Sequence, residues 1–541
     1  MNLQLARQTR LLIAEDQALA KSHIKYALEQ LGFQHIDYVD RAAYALTSLR
    51  TRQYDVIVCA YDLRQEQGGY NLFEQLKTEK IIPLTTGFIF TSADTAIDVV
   101  HAIIELQPDE FLAKPFSVNE LDKRLSKVVT RKKVFHDVYR YMDEQNPEQA
   151  LKELEFILVE PKNAEHFPLA LKTKGDLLLL NRQFENAKLF YQSIINIQNF
   201  TWAKLGLVQC YIHLDEFDDA ERDLIQLALQ PESMLSAYDL LAELQIKLEA
   251  YGEALECVNV ASDISPRNVM RHITAVQLAR LTHDYEGQFN SAKKVVRFGK
   301  NSVHDTPEMY LSVTRAGIDF AMTAETSQTN KIIKQSNEYL RQLKSAYPKV
   351  NLDHQLQVIS ARIHYLKDEN DKAKDLLDAL DIDNLEEQSV ETLLDSAKAF
   401  HDLGLRGSAL KLLDKATLRQ KELDAPNSLL SRYINQEVVE KTAISISPKN
   451  LNDVAVVQYK RGELAKSYQT FEQAFRVMPH NPAIALNLLQ ASAMRRSREG
   501  KAEASLNSVM KKCRFTLESA SLSEEQSQRY ETVKGLLDQV V

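Results

Sequence analysis

Strand signals are confined to the first quarter of this chain of 541 residues. Up to about residue 130, short apolar runs rich in β-branched residues alternate with amphipathic segments. From about His136 onward the strand signals vanish, and pairs of amphipathic helices recur. Alternating strands and helices predict a parallel sheet covered on both faces, whereas consecutive helix pairs predict a repeat array. We therefore expect an α/β domain over residues 1–130 and an all-α array over residues 131–541.

The N-terminal part contains five β-α units. The predicted strands are Arg10–Ala14, His35–Val39, Tyr54–Cys59, Thr86–Thr91 and Glu110–Ala113. The predicted helices are Ala18–Leu31, Ala42–Thr51, Tyr70–Thr78, Ala96–Leu106 and Val118–Val129. This order predicts a five-stranded, doubly wound, flavodoxin-like sheet, with any site at the carboxyl ends of the strands.

Polar residues converge at those strand ends. Glu15 and Asp16 follow the first strand, Ser92 follows the fourth, and Lys114 follows the fifth. These landmarks resemble the receiver domain of bacterial response regulators over about residues 8–130. The resemblance implies that Glu15 and Asp16 are the acidic pair for Mg²⁺, while Ser92 and Lys114 contact phosphoryl oxygens. It also implies that Phe111 is the aromatic residue of the partner-binding face, which includes Ala96–Leu106.

The resemblance places Ala60 where the family has its phosphoryl-accepting aspartate. A methyl group offers no nucleophile, so we expect a degenerate pocket that is not phosphorylated. Without the acceptor, Lys114 is expected to form a salt bridge with Asp16 or Glu15. Mg²⁺ binding is expected to be weak or absent because one anionic ligand is missing, and no other cofactor is predicted.

Two alternatives for the acceptor remain open. Asp62 lies two residues beyond Ala60. A register shift of two residues keeps side chains on the same face of a strand, so Asp62 is one alternative acceptor. Ala60, however, stands 44 residues after Asp16, which is the family's spacing. The other alternative is an aspartate at position 60 in the unaltered protein. Glu15 in the acidic pair and Ser92 in place of the usual threonine indicate a drifting motif, which favours a natural alanine.

Small residues in the second part recur about 12 positions apart, as in a tetratricopeptide array with its period of about 34 residues. The matching pairs are Gly175 with Ala187, Ala242 with Ala254, Ala275 with Gly287, Ala361 with Ala373, Ala397 with Ala409, and Ala455 with Ser467. Trp202, Leu205 and Gly206 carry the Trp-x-x-Leu-Gly opening of such a repeat, and Pro266 closes another unit. The small residues allow antiparallel helices to cross closely.

The array is expected to contain one irregular region and one cap. Its units are irregular between Asp305 and Asn384, and the Ser/Thr-rich stretch Ala321–Asn330 predicts loops or a domain break near 305–350. Glu524–Val540 is predicted to be a terminal capping helix. The first helix of each pair is expected to line a concave groove that binds protein segments. Trp202 and Tyr238 are expected to pack between helices and not to form a ligand cage.

Composition and motifs exclude several functional classes. A net charge of −9 and a pI of about 5.9 do not favour nucleic acid as a partner. The sequence contains no run of about 18 apolar residues, so we predict no membrane span. No secretion signal is evident, and we therefore expect a cytoplasmic location. Four scattered cysteines are expected to be reduced thiols. Because the common catalytic motifs do not occur, we expect that the chain is not an enzyme. An enzyme whose site these motifs do not reveal remains an alternative.

The combined architecture resembles receiver–tetratricopeptide proteins that accompany a histidine kinase and a cyclic-di-GMP phosphodiesterase regulator. The resemblance implies a non-enzymatic adaptor that binds the sibling regulator, or its kinase, and inhibits the phosphodiesterase. One alternative is a phosphorylation-controlled switch that gates the repeat groove. Another is an assembly scaffold for pili, flagella or secretion. The sequence sets no oligomeric state.

Overall fold

The computed structural model describes residues 3–64, 68–324, 326–382, 385, 388–423, 428–444, 446–499, 504–520 and 522–538. The chain divides into two compact units. Unit 1 comprises Met1–Arg271 and Phe298–Asp305, and unit 2 comprises His272–Arg297 and Thr306–Val541. None of the helices in the described ranges combines the length and the apolarity that a membrane crossing requires.

Unit 1 begins with a five-stranded parallel sheet in the order β2-β1-β3-β4-β5. The strands are β1 (Arg10–Ala14), β2 (His35–Val39), β3 (Val56–Ala60), β4 (Gly87–Ser92) and β5 (Glu110–Ala113). The helices around it are α1 (Leu3–Gln8), α2 (Ala18–Gln30), α3 (Ala42–Thr51), α4 (Gly68–Thr78), α5 (Ile97–Leu106) and α6 (Val118–Val134). The predicted α/β fold is therefore confirmed.

Three details of this domain differ from the prediction. Strand β3 begins at Val56, later than predicted, and it includes Ala60. Helix α6 continues to Val134, beyond the predicted end at Val129. Helix α1 was not predicted, and its Ala6 is fully buried in the core on one face of the sheet. A six-residue segment with a single buried side chain gives too weak a periodic signal to be recognised in the sequence.

The central strands are buried because helices cover both faces of the sheet. Side chains alternate along a strand, so Leu12 and Ile57 belong to the core on one face, and Ile13 and Val58 to the core on the other. The apolar runs of β1 and β3 therefore supply buried side chains to the cores on both faces of the sheet. This arrangement leaves the polar residues to the ends of the strands, where the chain enters the connecting loops.

The rest of the described chain is helical. In order along the chain, the helices are α7 (His136–Asp143), α8 (Pro147–Val159), a 3₁₀ turn (Pro161–His166), α9 (Phe167–Leu180), α10 (Phe184–Ile197), α11 (Thr201–His213), α12 (Phe217–Ala228), α13 (Met234–Lys247), α14 (Tyr251–Ile264), α15 (Val269–Leu281), α16 (Tyr285–Gly299), α17 (Pro307–Thr323), α18 (Thr326–Ala346), α19 (Asp353–Leu366), α20 (Asn370–Asp378), α21 (Val390–Asp402), α22 (Arg406–Glu422), α23 (Leu429–Ala443), α24 (Pro448–Lys460), α25 (Leu464–Val477), α26 (Pro482–Glu499), α27 (Ala504–Ser519) and α28 (Glu524–Asp538).

The predicted loop at Ala321–Asn330 was wrong. Helix α17 continues to Thr323 and α18 begins at Thr326, so most of this stretch is helical. Serine and threonine lower helix propensity only slightly, and packing of an apolar face outweighs that preference. The predicted cap is present as α28, which is described to Asp538, and Val540 lies outside the described residues.

The small residues of the repeats make room for an aromatic ring. A Cβ atom added at Gly175 or Gly206 would lie within 2.6 Å of ring atoms of Tyr191. Tyr191 is 1% exposed, and Trp202 lies at its edge with a centroid separation of 6.3 Å. Leu205 and Tyr238 pack against the same cluster, and Ala187, Ala242 and Ala254 are buried. Trp202 and Tyr238 therefore pack between helices, as predicted.

Candidate functional site

The carboxyl edge of the sheet holds a buried ion pair. Glu15 follows β1 and is 1% exposed, and Lys114 follows β5 with a side chain that is 14% exposed. The Lys114 Nζ atom lies 2.5 Å from Glu15 Oε2. The salt bridge that the sequence predicted for Lys114 is therefore present, and Glu15 is its partner. Because the pair is shielded from water, each group depends on the other for its charge balance.

Ser92 belongs to the same edge but is engaged by its own loop. It is the last residue of β4 and is buried. Its hydroxyl accepts a hydrogen bond from the backbone N–H of Asp94 at 3.0 Å, and its carbonyl accepts one from the N–H of Lys114 at 2.7 Å. A cis peptide bond joins Lys114 to Pro115. The ends of β4 and β5 are thereby held together beside the Glu15–Lys114 pair.

Ala60 is the last residue of strand β3 and stands where the resemblance places the acceptor. It is 3% exposed and pairs in register with Thr91 of β4. Asp62 lies in the loop beyond the strand and is exposed. The last residue of the strand is thus Ala60, the position to which the family spacing assigns the acceptor.

The residues at this edge do not fit a tightly bound Mg²⁺ ion. Mg²⁺ requires about six oxygen ligands in near-octahedral geometry, usually including one or two carboxylates. Glu15 is engaged by Lys114, and Ala60 has no side-chain oxygen. Asp16 Oδ1 is buried without a hydrogen-bond partner among the described residues, which leaves a single carboxylate for a metal.

Tyr61, the residue after Ala60, connects this edge to the helical repeats of unit 1. Its ring is 1% exposed and lies against Tyr70 and Phe90. The guanidinium of Arg267, in the link between α14 and α15, lies 5.6 Å from the centre of the ring. Burial raises the pKa of Tyr61 to about 12, although the charge of Arg267 opposes that rise. A cation over a buried aromatic face is an attractive contact.

Glu105, near the end of α5, is held by three residues from the same link and the start of α15. Its carboxylate accepts hydrogen bonds from Ser265 Oγ, from Asn268 Nδ2 at 3.3 Å and from Arg271 Nη2. Arg271 also contacts Asp239 through Nε and Nη2, at 2.7 and 2.6 Å. Burial lowers the pKa of Arg271, but its two carboxylate partners outweigh that effect and hold it above the ordinary value.

Together these contacts form an intramolecular interface, which we call the receiver–repeat latch. It comprises Tyr61 and Glu105 on the receiver side, with Ser265, Arg267, Asn268 and Arg271 on the repeat side. His101 adds a contact to the carbonyl of Ile264 at 3.2 Å, and His304 adds one to Glu74 at 3.3 Å.

The latch occupies part of the face that was predicted for an external partner. Helix α5 was expected to belong to that face, but its Glu105 and His101 contact the chain's own repeats. Phe111, the other predicted marker, is half-buried against the core of the sheet. Sequence reasoning missed the latch, because Arg271 is 166 residues from Glu105 and Arg267 is about 200 residues from Tyr61. The two arginines that follow Pro266 were a weak signal for it.

The predicted repeat groove is partly filled by charged side chains in unit 2. Arg362 of α19 contacts Asp319 of α17 and Asp395 of α21, both at 2.7 Å, and is 3% exposed. Lys398 also contacts Asp319 at 2.7 Å, and Glu437 of α23 lies beside Lys398. These first helices of successive pairs enclose a cavity of only about 40 Å³. The chain's own ion pairs therefore fill most of the space around this cavity.

Comparisons with known proteins agree with the architecture of unit 1. Residues 11–126 match the family model of the response regulator receiver domain. A probable transcriptional regulator, ycf27 of Cyanidium caldarium, is 27% identical over 130 residues, which cover 24% of this chain and 50% of that protein. The transcriptional regulatory protein QseB of Haemophilus influenzae is 26% identical over 127 residues, which cover 24% and 55%. The chain thus spans about half the length of these curated relatives.

A solved tetratricopeptide repeat protein from Parabacteroides merdae aligns with 56% of this chain and 98% of its own, at 12% identity and a TM-score of 0.27. Residues 11–126 therefore match a response regulator receiver domain, and the described chain beyond them is all-helical. A receiver domain indicates a role in two-component signalling.

Proposed function

We propose that this chain is a non-enzymatic adaptor of a two-component pathway that acts by protein contact and is not itself phosphorylated. The observation that carries the proposal is the combination of Ala60 and the Glu15–Lys114 ion pair at the carboxyl edge of the sheet. Ala60 supplies no nucleophile, and Lys114, the residue expected to hold a phosphoryl group, is paired with Glu15. These two curated relatives are transcriptional regulators, and their similarity covers 24% of this chain.

The receiver–repeat latch supports an output by contact. In a phosphorylated receiver, a rearrangement of side chains at this edge changes the surface that a partner recognises. Here the equivalent surface is already bound to the repeats through Glu105 and Arg271. A domain held in one state by its own chain can present a constant surface, and partner binding replaces phosphate as the input.

In its finer form, the proposal is that the chain binds a sibling response regulator and lowers its cyclic-di-GMP phosphodiesterase activity. This step rests on the resemblance to receiver–tetratricopeptide adaptors, and fold alone does not fix function. A scaffold for pilus, flagellar or secretion assembly would use the same binding surfaces without the inhibitory effect.

Two measurements test the proposal. The purified full-length chain is incubated with acetyl phosphate and Mg²⁺, and its intact mass is measured; we expect no phosphoryl adduct. The chain is then added to the phosphorylated sibling regulator, and cyclic-di-GMP hydrolysis is followed; we expect a dose-dependent decrease. A stoichiometric adduct on Asp62 or elsewhere in the receiver would overturn the first part, and binding without inhibition would favour the scaffold.

A further inference from the structure

A cavity near the C-terminal end of unit 2 carries positive charge that its lining does not balance. It has a volume of about 410 Å³ and is lined by residues of α24, α25, α26 and α28. Lys460 and Arg529 contribute two cations to the wall. No described lining residue is Asp or Glu, although the whole chain has a net charge of −9. We call this space the C-terminal cavity.

Neutral side chains hold Arg529 in place. Its Nη2 donates to Asn487 Oδ1 at 2.8 Å and to Gln490 Oε1 at 2.5 Å, and its Nε donates to Gln490 Oε1 at 3.1 Å. Asn487 is 9% exposed, and its Nδ2 donates to Asn452 Oδ1 at 2.8 Å. Amide oxygens orient the guanidinium without cancelling its charge. Among the described residues, neither Arg529 nor Lys460 forms an ion pair with a carboxylate.

The opposite wall of the cavity is apolar. Phe471 is 2% exposed, and Val456 and Tyr459 are half-buried. A space with an apolar wall and a small number of oriented polar groups is the usual form of a recognition site. It differs from the filled groove around Arg362, where each cation faces a carboxylate of the same chain.

We propose that the C-terminal cavity binds an acidic, apolar segment of a partner protein. A carboxylate of that segment pairs with Arg529 and Lys460, and a neighbouring apolar side chain contacts Phe471 and Tyr459. Arg529 suits this role because its planar donors match the geometry of a carboxylate. The apolar wall offers nothing to inorganic phosphate, and two cations do not form the extended basic surface that a nucleic-acid backbone requires. This inference rests on the proposed adaptor function and names a site for it.

The test uses the full-length chain and two pools of short fluorescein-labelled peptides. In one pool Asp or Glu alternates with Leu, Ile, Phe or Tyr, and in the other Lys or Arg replaces the acids. We expect the acidic pool to bind at least about tenfold more tightly than the basic pool, measured by fluorescence anisotropy at physiological ionic strength. A version of the acidic pool with amidated C-termini distinguishes side-chain carboxylates from a terminal carboxylate.

Substitutions locate the binding. The double variant Lys460→Gln/Arg529→Gln should weaken acidic-pool binding about tenfold or more. Lys534→Gln, on the same helix but outside the cavity, should leave it unchanged. Circular dichroism checks the fold. If the double variant unfolds, Lys460→Gln alone serves, because Lys460 is exposed and forms no ion pair among the described residues.

Three results would overturn the inference: equal binding of both pools, acidic binding that is unchanged in the cavity variants, or self-association of the wild type that the cavity variants abolish. The last result would identify a second copy of the chain as the occupant. If the variants lose the acidic pool but still lower the regulator's activity, the cavity binds acidic segments without serving the adaptor function. If the chain fails to affect the regulator while the pool still binds, only the proposed function is refuted.

Discussion

Replacing Arg271 by methionine should open the receiver–repeat latch. Methionine keeps the apolar stem of the arginine and removes its charge. Glu105, whose side chain is 15% exposed, then loses a charged partner while keeping its bonds to Ser265 and Asn268. Asp239 is 41% exposed and is readily solvated, so its lost pair contributes about 1 kcal/mol or less.

The magnitude follows from these exposures. Removal of one partner from a fully buried pair costs about 3–5 kcal/mol. Because Glu105 keeps two hydrogen bonds and Asp239 faces solvent, we expect a cost below that range, about 2–3 kcal/mol. At about 1.4 kcal/mol for each factor of ten, the open state of the latch should become about 30- to 150-fold more populated.

Hydrogen–deuterium exchange measures this change locally. The amides of α5 should exchange faster in the Arg271→Met variant, whereas those of α3, which does not contribute to the latch, should not. Arg222→Met, at an arginine that is 60% exposed and outside the latch, is the matched control. A double-mutant cycle with Glu105→Gln should give a coupling of about 1.5 kcal/mol or more. A coupling below about 0.5 kcal/mol would refute the claim that this pair holds the receiver against the repeats.

Three further predictions concern other parts of the chain. Ala60→Asp should acquire an acetyl phosphate- and Mg²⁺-dependent phosphoryl adduct, detected by intact mass, because it restores the nucleophile beside Lys114. Arg362→Met should lower the free energy of unfolding in urea by about 3–5 kcal/mol, because Asp319 and Asp395 each lose a buried cation at 2.7 Å, although Asp319 keeps Lys398. Burial, with the charge of Lys441, lowers the pKa of His401 from 6.5 to about 4. Unfolding would let this imidazole take up a proton, so the free energy of unfolding should fall by about 3 kcal/mol as the pH drops from 6.5 to about 4. His401→Gln should remove this part of the pH dependence of stability.

Each of these predictions has a contradicting outcome. An Ala60→Asp chain that stays unmodified would mean that the edge has lost more than its acceptor. A loss below about 1 kcal/mol for Arg362→Met would mean that its buried carboxylates find other partners or water. An unchanged pH profile in His401→Gln, measured by urea unfolding, would assign the acid sensitivity to other groups. Glu437 acts at lower pH: burial raises its pKa, but Lys441 and Lys398 outweigh that effect and lower it from 4.5 to about 2, so its contribution to stability is lost below about pH 4.5.

The sequence by itself determined the α/β receiver fold, the helical array and the convergence at the sheet edge. Alternating apolar runs specify which residues face each core, and the edge residues follow because parallel strands end on the same side. Lys114 could therefore be expected to pair with Asp16 or Glu15, whereas Ala60 was assigned to the acceptor position by the family resemblance. The spacing of small residues likewise predicted close helix crossings, although not that Gly175 and Gly206 accommodate the ring of Tyr191.

Only the tertiary structure decided what the two parts of unit 1 do to each other. The contact between Arg271 and Glu105 depends on how all the helices and strands between these two residues pack. Local periodicity in the sequence contains no information about that packing. The same holds for the groove of unit 2. Arg362 and Asp319 come from different helix pairs, and whether their charges meet or remain open to a ligand depends on how successive helices stack. The tertiary structure also decides that the charge of Arg529 is left unbalanced, because it places the neutral amides of Asn487 and Gln490 beside the guanidinium.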